Sequence, residues 1–411
     1  MRIIKENHQG ISTILSFALI PLSGFATDIY LPSLPSMAGH LQVPNTAVQL
    51  SLVIFMISYG ISQLFVGSLL DSFGRYKLGI SALTVFMLAS FAIAISHNIY
   101  LIYLMRIIHG ITVALIVVGK RAYFVDIYKG DKLKHYTSLF SIIWASAPII
   151  APFIGGYLQA AFGWESNFYF LGFFALSLLV LELVYGGESL QHFHPFKAKS
   201  ILNVYSSMLK TADFSLGLVI LGLCYAMLLV YGMSSPFIIE HLFHHSPIVT
   251  GYCSLLSGVA LMTGGIISKT LIKRPFTQKI TAALSLQLLL ATAMIATSGY
   301  TANLFVLMIF VLLLHLLGGF IFNNFFSYCL GRFSKNAGIA SGITGGGMYI
   351  VTSIFSYSIV NTFSIKNQAV LGGAYLALVL LSGTAFLLFQ KVKYNAERSS
   401  EYERNNQLKA A

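Results

Sequence analysis

The sequence predicts an all-α membrane protein with twelve transmembrane helices in two pseudo-repeated six-helix bundles. Three observations predict it: a composition poor in charge, a succession of apolar runs of spanning length, and cations gathered at alternate ends of those runs. Of 411 residues, 56% are hydrophobic and 9% are charged. Mean hydropathy is +0.79, and soluble domains carry about 25% charged residues. A water-exposed surface cannot be built from so few charges. Each helical crossing takes about 20 apolar residues, so roughly twelve crossings fit this length.

Apolar runs bounded by charge, Gly or Pro predict helices over 11–34, 46–70, 78–96, 100–126, 136–160 and 165–186. A second set follows over 213–236, 248–270, 280–299, 302–328, 338–361 and 368–390. The first run is preceded by a short polar stretch with Arg2 and Lys5 and outlasts the apolar core of a cleavable signal, so it is expected to be retained. Between the sets, Gly187 to Ala212 is polar and includes His192, His194, Pro195, Lys197, Lys199 and Lys210. The domain reading is a first bundle over 1–186, a linker over 187–212, a second bundle over 213–393 and a tail over 394–411.

Cations fix the expected orientation. With the N-terminus inside, one side collects Arg75, Lys77, Lys129, Lys132 and Lys134, then the linker lysines. The same side takes Lys269, Lys273, Arg274, Lys279, Arg332 and Lys335, and finally Lys391, Lys393, Arg398, Arg404 and Lys409 of the tail. The opposite loops keep Lys366. Positive loops mark the cytoplasmic side, so both termini are expected there, and the net charge of +12 needs no nucleic-acid partner. Cys224, Cys253 and Cys329 all lie in apolar runs and read as buried free thiols, without metal-ligand spacing.

Three segments carry chemistry. The first is Gly67-Ser68-Leu69-Leu70-Asp71-Ser72-Phe73-Gly74-Arg75-Tyr76-Lys77. Gly67 permits close helix approach, Gly74 permits a tight turn, and Asp71 can pair with Arg75. The second is Asp28, a carboxylate inside the first helix. Such a group costs about 2.5–3.5 kcal/mol in hydrocarbon, so it should face the bundle interior or a wet cavity. Arg106 of the fourth helix lies at a similar distance from its helix end. At 1.5 Å per residue both sit roughly 9 Å from the outer surface, where they could meet directly or through water. Burial and a nearby guanidinium push a carboxyl group's proton affinity in opposite senses, so a changing separation would make Asp28 a protonation switch. A static ion pair locking two helices is the plainer alternative. His109, one turn from Arg106, is a candidate for the relay, as is His315. The third segment, Ala147-Pro148-Ile149-Ile150-Ala151-Pro152-Phe153-Ile154-Gly155-Gly156, combines kinking prolines with a glycine pair that allows tight helix contact.

The Asp71 loop resembles the signature between helices 2 and 3 of the major facilitator superfamily, and the helix-5 segment resembles the proline-glycine motif of its antiporters. With Thr27 to Pro35, the Arg106 segment and Arg121 to Tyr128, these residues look like the Bcr/CflA branch of twelve-helix drug:proton antiporters. The resemblance implies a charge cluster of Asp71, Arg75 and Asp126 that gates the cytoplasmic side, with Gly67 and Gly74 shaping it. It also implies coupling through Asp28 alone, since Ile20 stands where some relatives carry a second acid; one proton per cycle suits this. A cavity lined by helices 1, 4, 7 and 10 is implied as well, with Tyr30, Tyr225, Tyr231, Asn323, Asn324 and Phe326 as candidate contacts. The expected function is proton-coupled export of lipophilic small molecules by alternating access, from a bacterial inner membrane and as a monomer. Two other readings stay open on the sequence: carriage of one metabolite, such as a siderophore or peptide, and a non-transporting sensor or scaffold.

Glu240-His241-Leu242-Phe243-His244-His245 invites a metal reading, but no cysteine or second cluster accompanies it, so a solvated loop is expected. No cofactor is expected. No Ser-His-Asp set, paired carboxylates or phosphate cradle emerges, so an enzyme is not expected.

Overall fold

The structure, a computed structural model, describes residues 4–193, 195, 198–300, 303–333 and 337–410. Arg2, His194, Lys197 and Lys335 lie outside these, as do the side chains of Lys199, Arg404 and Lys409. The described chain is helical without a strand. Among the described residues, eleven helices are long and apolar enough to cross a bilayer.

The first crossing is broken into α1 (Gln9–Leu19), α2 (Leu22–Asp28) and α3 (Leu34–Leu41), with a short 3-10 turn at Leu31–Ser33. Proline explains the breaks. A proline ring clashes with the carbonyl four residues earlier and supplies no N–H, so Pro32 ends the helix at Asp28. The crossing also runs on to Leu41 rather than stopping near residue 34. Next come α4 (Asn45–Phe73), α5 (Arg75–Ala94), α6 (Ile99–Ile127), α7 (Gly130–Phe162) and α8 (Glu165–Tyr185). α7 takes the place of the expected fifth crossing; its described apolar stretch is the shorter Ser146–Phe162.

The polar segment after α8 contains a helix the sequence reading did not anticipate, α9 (Ala198–Leu209). Its Tyr205 and Met208 are buried, and the Tyr205 hydroxyl donates to the Leu64 carbonyl at 2.6 Å. The remaining crossings are α10 (Ala212–Phe237), α11 (Pro247–Thr270), α12 (Phe276–Thr297), α13 (Leu304–Arg332), α14 (Ala337–Phe363) and α15 (Gln368–Ala410). α10 continues as a π-helical turn over Ile238–Leu242. α15 extends as helix through most of the stretch expected to be a tail.

Helices before α9 pack among themselves, α4 and α5 on α6 and α5 on α8. Those after it do likewise, α10 on α13, α14 and α15, α11 on α13, and α12 on α15. The groups join chiefly through α4 with α14 and α7 with α11, and α3 and the Leu31–Ser33 turn also touch α10 and α11. Small residues make these contacts possible. A Cβ on Gly60 would meet the Gly346 carbonyl at 2.7 Å, and Tyr59 packs edge-on against Tyr349 with centroids 4.9 Å apart. Across α7 and α11, a Cβ on Gly156 would lie 2.6 Å from the Pro247 carbonyl, and one on Gly251 would lie 2.9 Å from that of Pro152. Gly67, expected to serve such an approach, has open space beside it, and the close approach on α4 falls at Gly60 two turns away. Gly60→Val is therefore expected to destabilise the protein by about 1–3 kcal/mol through overpacking, and Gly67→Val far less. The thermal midpoints of the two variants in detergent give the comparison.

Apolar side chains such as Phe173, Val180, Leu289 and Leu387 remain exposed on the outside of the helices. On a chain of this hydropathy they face lipid, and the protein is a multi-pass membrane protein.

Candidate functional site

Asp28 lies where α2 ends, only 7% exposed. Its Oδ2 is buried and has no hydrogen-bond partner among the described residues. Asp28 lines a cavity of about 30 Å³ formed where the two groups of helices meet. Leu31 adjoins it on the same segment, Pro148 and Pro152 of α7 flank it, and α10 and α11 close it with Tyr225, Tyr231, Ser254 and Ser257. Pockets for drug-sized solutes measure about 300–1,000 Å³. The space beside Asp28 is that of about one water. Binding a solute there requires the two groups of helices to separate.

Arg106 is fully buried beside this segment, but its partners differ from the expected one. No ion pair joins it to Asp28 within 4.0 Å among the described residues. One guanidinium nitrogen, Nη1, donates to the Ala26 carbonyl at 2.9 Å, and Nε donates to the Ser51 carbonyl at 3.4 Å. The guanidinium lies over Phe55 and Tyr30, 4.3 and 5.0 Å from their centroids. Ending α2 at Asp28 leaves carbonyls at its C-terminus that need donors, and a cation there also meets the negative end of the helix dipole. Arg106 thus ties the broken first crossing to α4 and α6. His109 extends the set: Nδ1 is 3.4 Å from Arg106 Nη1, Nε2 is 3.1 Å from Ser90 Oγ, and the ring stacks on Phe86.

At the other end of α4 a second polar cluster forms. Arg75 pairs with Asp71 at 3.1 Å and with Asp126, to which Ser189 also donates at 2.7 Å. Gly74 makes the turn with φ +92° and ψ 147°, a region that is nearly glycine-only. Behind it stands Glu188, which sequence reasoning missed. Its Oε1 and Oε2 accept from the backbone N–H groups of Arg75 at 3.1 Å and Tyr76 at 3.0 Å, capping α5. A Cβ on Gly74 would meet Glu188 Oε2 at 2.7 Å. Gly74→Ala is accordingly expected to cost about 1–3 kcal/mol in backbone strain, before any displacement of the cap. Comparing its thermal midpoint with that of Glu188→Gln separates turn from cap. Nearby, half-buried Lys120 pairs with the buried Glu182. All these partners lie on α4, α5, α6, α8 and the segment just after it, so the cluster braces one group of helices rather than bridging the two.

The other expected residues divide. Pro148 and Pro152 reach the cavity, and Gly155 and Gly156 do not line it but set the packing around it, Gly155 against the Ile29 carbonyl beside Asp28. Tyr225 and Tyr231 line the cavity; the Tyr231 hydroxyl donates to Met308 Sδ at 3.2 Å. Tyr30 instead packs on Phe168 and bonds Ser51 at 3.0 Å, a core role under Arg106. Asn323 and Asn324 also turn away from the cavity. Both donate to Ser268 Oγ, at 3.1 and 2.9 Å, because a buried amide in an apolar helix takes the nearest acceptor on its neighbour. Phe326 stacks on Phe322. The cysteines are free and buried. Among the described residues no group of His, Cys, Asp or Glu is arranged to hold a metal. Ser254 and Ser257 escaped notice because an all-round apolar helix gives no sign of which face meets the cavity.

Two groups of membrane-crossing helices closing on a buried acid define a carrier. The family model described as Major Facilitator Superfamily matches residues 17–356, and the chain belongs to that family of transporters. It is 30% identical over 343 residues to the "Uncharacterized MFS-type transporter YdgK" of Bacillus subtilis, covering 80% of this chain and 83% of that one. It is 27% identical over 338 residues to the "Multidrug resistance protein MdtL" of Vibrio parahaemolyticus, covering 81% and 84%. Among solved structures, a bacterial homologue of the human lysosomal transporter Spinster superposes with TM-score 0.71 at 12% identity, covering 94% of this chain and 98% of that one. That likeness is one of fold.

Proposed function

We propose that this transporter exports lipophilic small molecules in exchange for protons, with Asp28 as the coupling carboxyl group. One observation carries the reading. A buried acid at the break of the first crossing lines the cavity between the two groups of helices, and one of its carboxyl oxygens has no partner among the described residues. A proton, or a cationic or donor group of the solute, can fill that place, and proton and solute exclude one another. Likeness to a protein named for multidrug resistance supports export of drugs over carriage of a single metabolite.

The cycle follows by alternating access. Residues 1–186 and 213–393 act as the two moving bodies, 187–212 joins them and 394–411 is the tail. With the cation-rich loops in the cytoplasm of a bacterial inner membrane, both termini are inside. A proton arriving from outside displaces the solute from Asp28, and solute arriving from the cytoplasm displaces the proton. Arg106, with His109 behind it, holds the Asp28 segment in register so that the carboxyl group keeps facing the cavity. Asp71, Gly74, Arg75 and Asp126 shape the cytoplasmic end against which the halves close. The unit of transport is the monomer, since both walls of the cavity come from one chain.

Inverted membrane vesicles test this. With an inward-acid gradient they should accumulate tetraphenylphosphonium or chloramphenicol, and a protonophore should discharge the accumulated solute. Accumulation that survives the protonophore would rule out proton coupling.

A further inference from the structure

The wall of the cavity opposite Asp28 holds a polar chain that the coupling scheme does not use. Ser257 of α11 lines the cavity, and its Oγ lies 2.7 Å from His315 Nδ1. His315, 1% exposed, has Nε2 3.0 Å from the Tyr375 hydroxyl. One turn before Ser257, Ser254 also lines the cavity, and its buried Oγ has no partner among the described residues. The nearby Tyr231 hydroxyl is taken by Met308. The C-terminal wall therefore carries two serines, one whose hydroxyl has no partner among the described residues and one tied to an imidazole.

The imidazole matters because a neutral ring has one nitrogen that donates and one that accepts. When Tyr375 donates to Nε2, Nδ1–H donates to Ser257, and the serine O–H is free to donate into the cavity. When Nε2–H donates to Tyr375, Ser257 must donate to Nδ1 and shows the cavity only lone pairs. Interchange moves no net charge: while the site is open to water, a proton leaves one ring nitrogen and water returns one to the other. We propose that Ser257 is a solute contact on the C-terminal wall whose donor or acceptor character is set by the tautomer of His315. A site of this kind takes a neutral hydrogen-bonding group of either sense, such as an amide, carbonyl or hydroxyl, on an otherwise lipophilic solute. Ser254 adds a fixed hydroxyl one turn away. His315 touches no solute and acts as a positioning residue.

This rests on the cavity being the solute site, so the test separates the two. Equilibrium binding of two probes to purified protein is compared: chloramphenicol, rich in amide and hydroxyl groups, and tetraphenylphosphonium, which has none. Ser257→Ala and His315→Phe are each expected to lower the chloramphenicol-to-tetraphenylphosphonium affinity ratio by about tenfold, the worth of one hydrogen bond. His315→Gln, whose amide can offer Ser257 either a donor or an acceptor, should restore most of the ratio. A purely packing role would weaken both probes together and leave the ratio unmoved, which would overturn the proposal. Gly232→Trp, which fills the cavity, serves as the reference. If it leaves both probes binding as before, the cavity is not the solute site and the proposed function falls with this inference. If it blocks both while the Ser257 and His315 variants keep the wild-type ratio, this inference alone falls. Thermal midpoints of each variant confirm that a folded protein is being compared.

Discussion

Asp28→Asn is expected to reduce gradient-driven accumulation to that of empty vesicles while leaving solute binding measurable. The substitution keeps the shape of the side chain and removes its ability to exchange a proton. In the present geometry Oδ2 meets no donor and no cation within ion-pair distance, so little packing depends on its charge. What disappears is the competition between proton and solute for one position. Energetic linkage requires a ligand to interact differently with the two states. With an amide in place of the carboxyl group the proton no longer does so at this site, and the gradient has no hold on the cycle. Passive exchange of solute down its own gradient should continue. Counterflow in reconstituted vesicles measures this directly. An Asp28→Asn protein that still concentrates solute against a gradient would place coupling on another residue.

Arg106 carries the second large effect, and Arg106→Lys is the informative change. A lysine keeps the charge but is a single point donor on a flexible stem. It cannot serve the carbonyls of Ala26 and Ser51 together, nor lie as a plane over Phe55 and Tyr30. Each buried acceptor left without a donor costs about 1–3 kcal/mol. The segment holding Asp28 is already interrupted by Pro32, so it has few backbone bonds of its own to keep its place. Transport should therefore fall close to background in Arg106→Lys, with a lower thermal midpoint, and Arg106→Ala should be worse in both respects. Wild-type transport by the lysine variant would show that charge alone is required, as in a simple ion pair with Asp28.

That distinction marks the limit of what the sequence made legible. Apolar runs bounded by charge, Gly or Pro gave the crossings to within a few residues in most cases. The Asp71–Arg75 pair was legible because its members stand four residues apart. The depth match of Asp28 and Arg106 was legible too, and the two do lie at one level, since Arg106 reaches Ala26. The partners Arg106 takes there were not: the backbone carbonyls freed by the helix break are acceptors without a side-chain signature. Glu188 was hidden for another reason. It caps a helix more than one hundred positions earlier in the chain, from within a polar stretch that read only as a linker. Gly60 and Gly67 are equivalent on paper, and only the presence of Gly346 across the interface tells them apart. Asn323 and Asn324 read as cavity groups because the resemblance sets their helix at the cavity and amides suit a partly polar solute, yet Ser268 accepts from them both.

The competition at Asp28 can be observed without any gradient. Purified protein in weakly buffered detergent, kept at a pH where the carboxyl group is protonated, is mixed with saturating tetraphenylphosphonium and the released protons are counted. Wild-type protein should release about one proton per bound cation, and Asp28→Asn none, since the group that exchanges one for the other is gone. Binding without proton release in the wild type, or equal release from both proteins, would contradict the account.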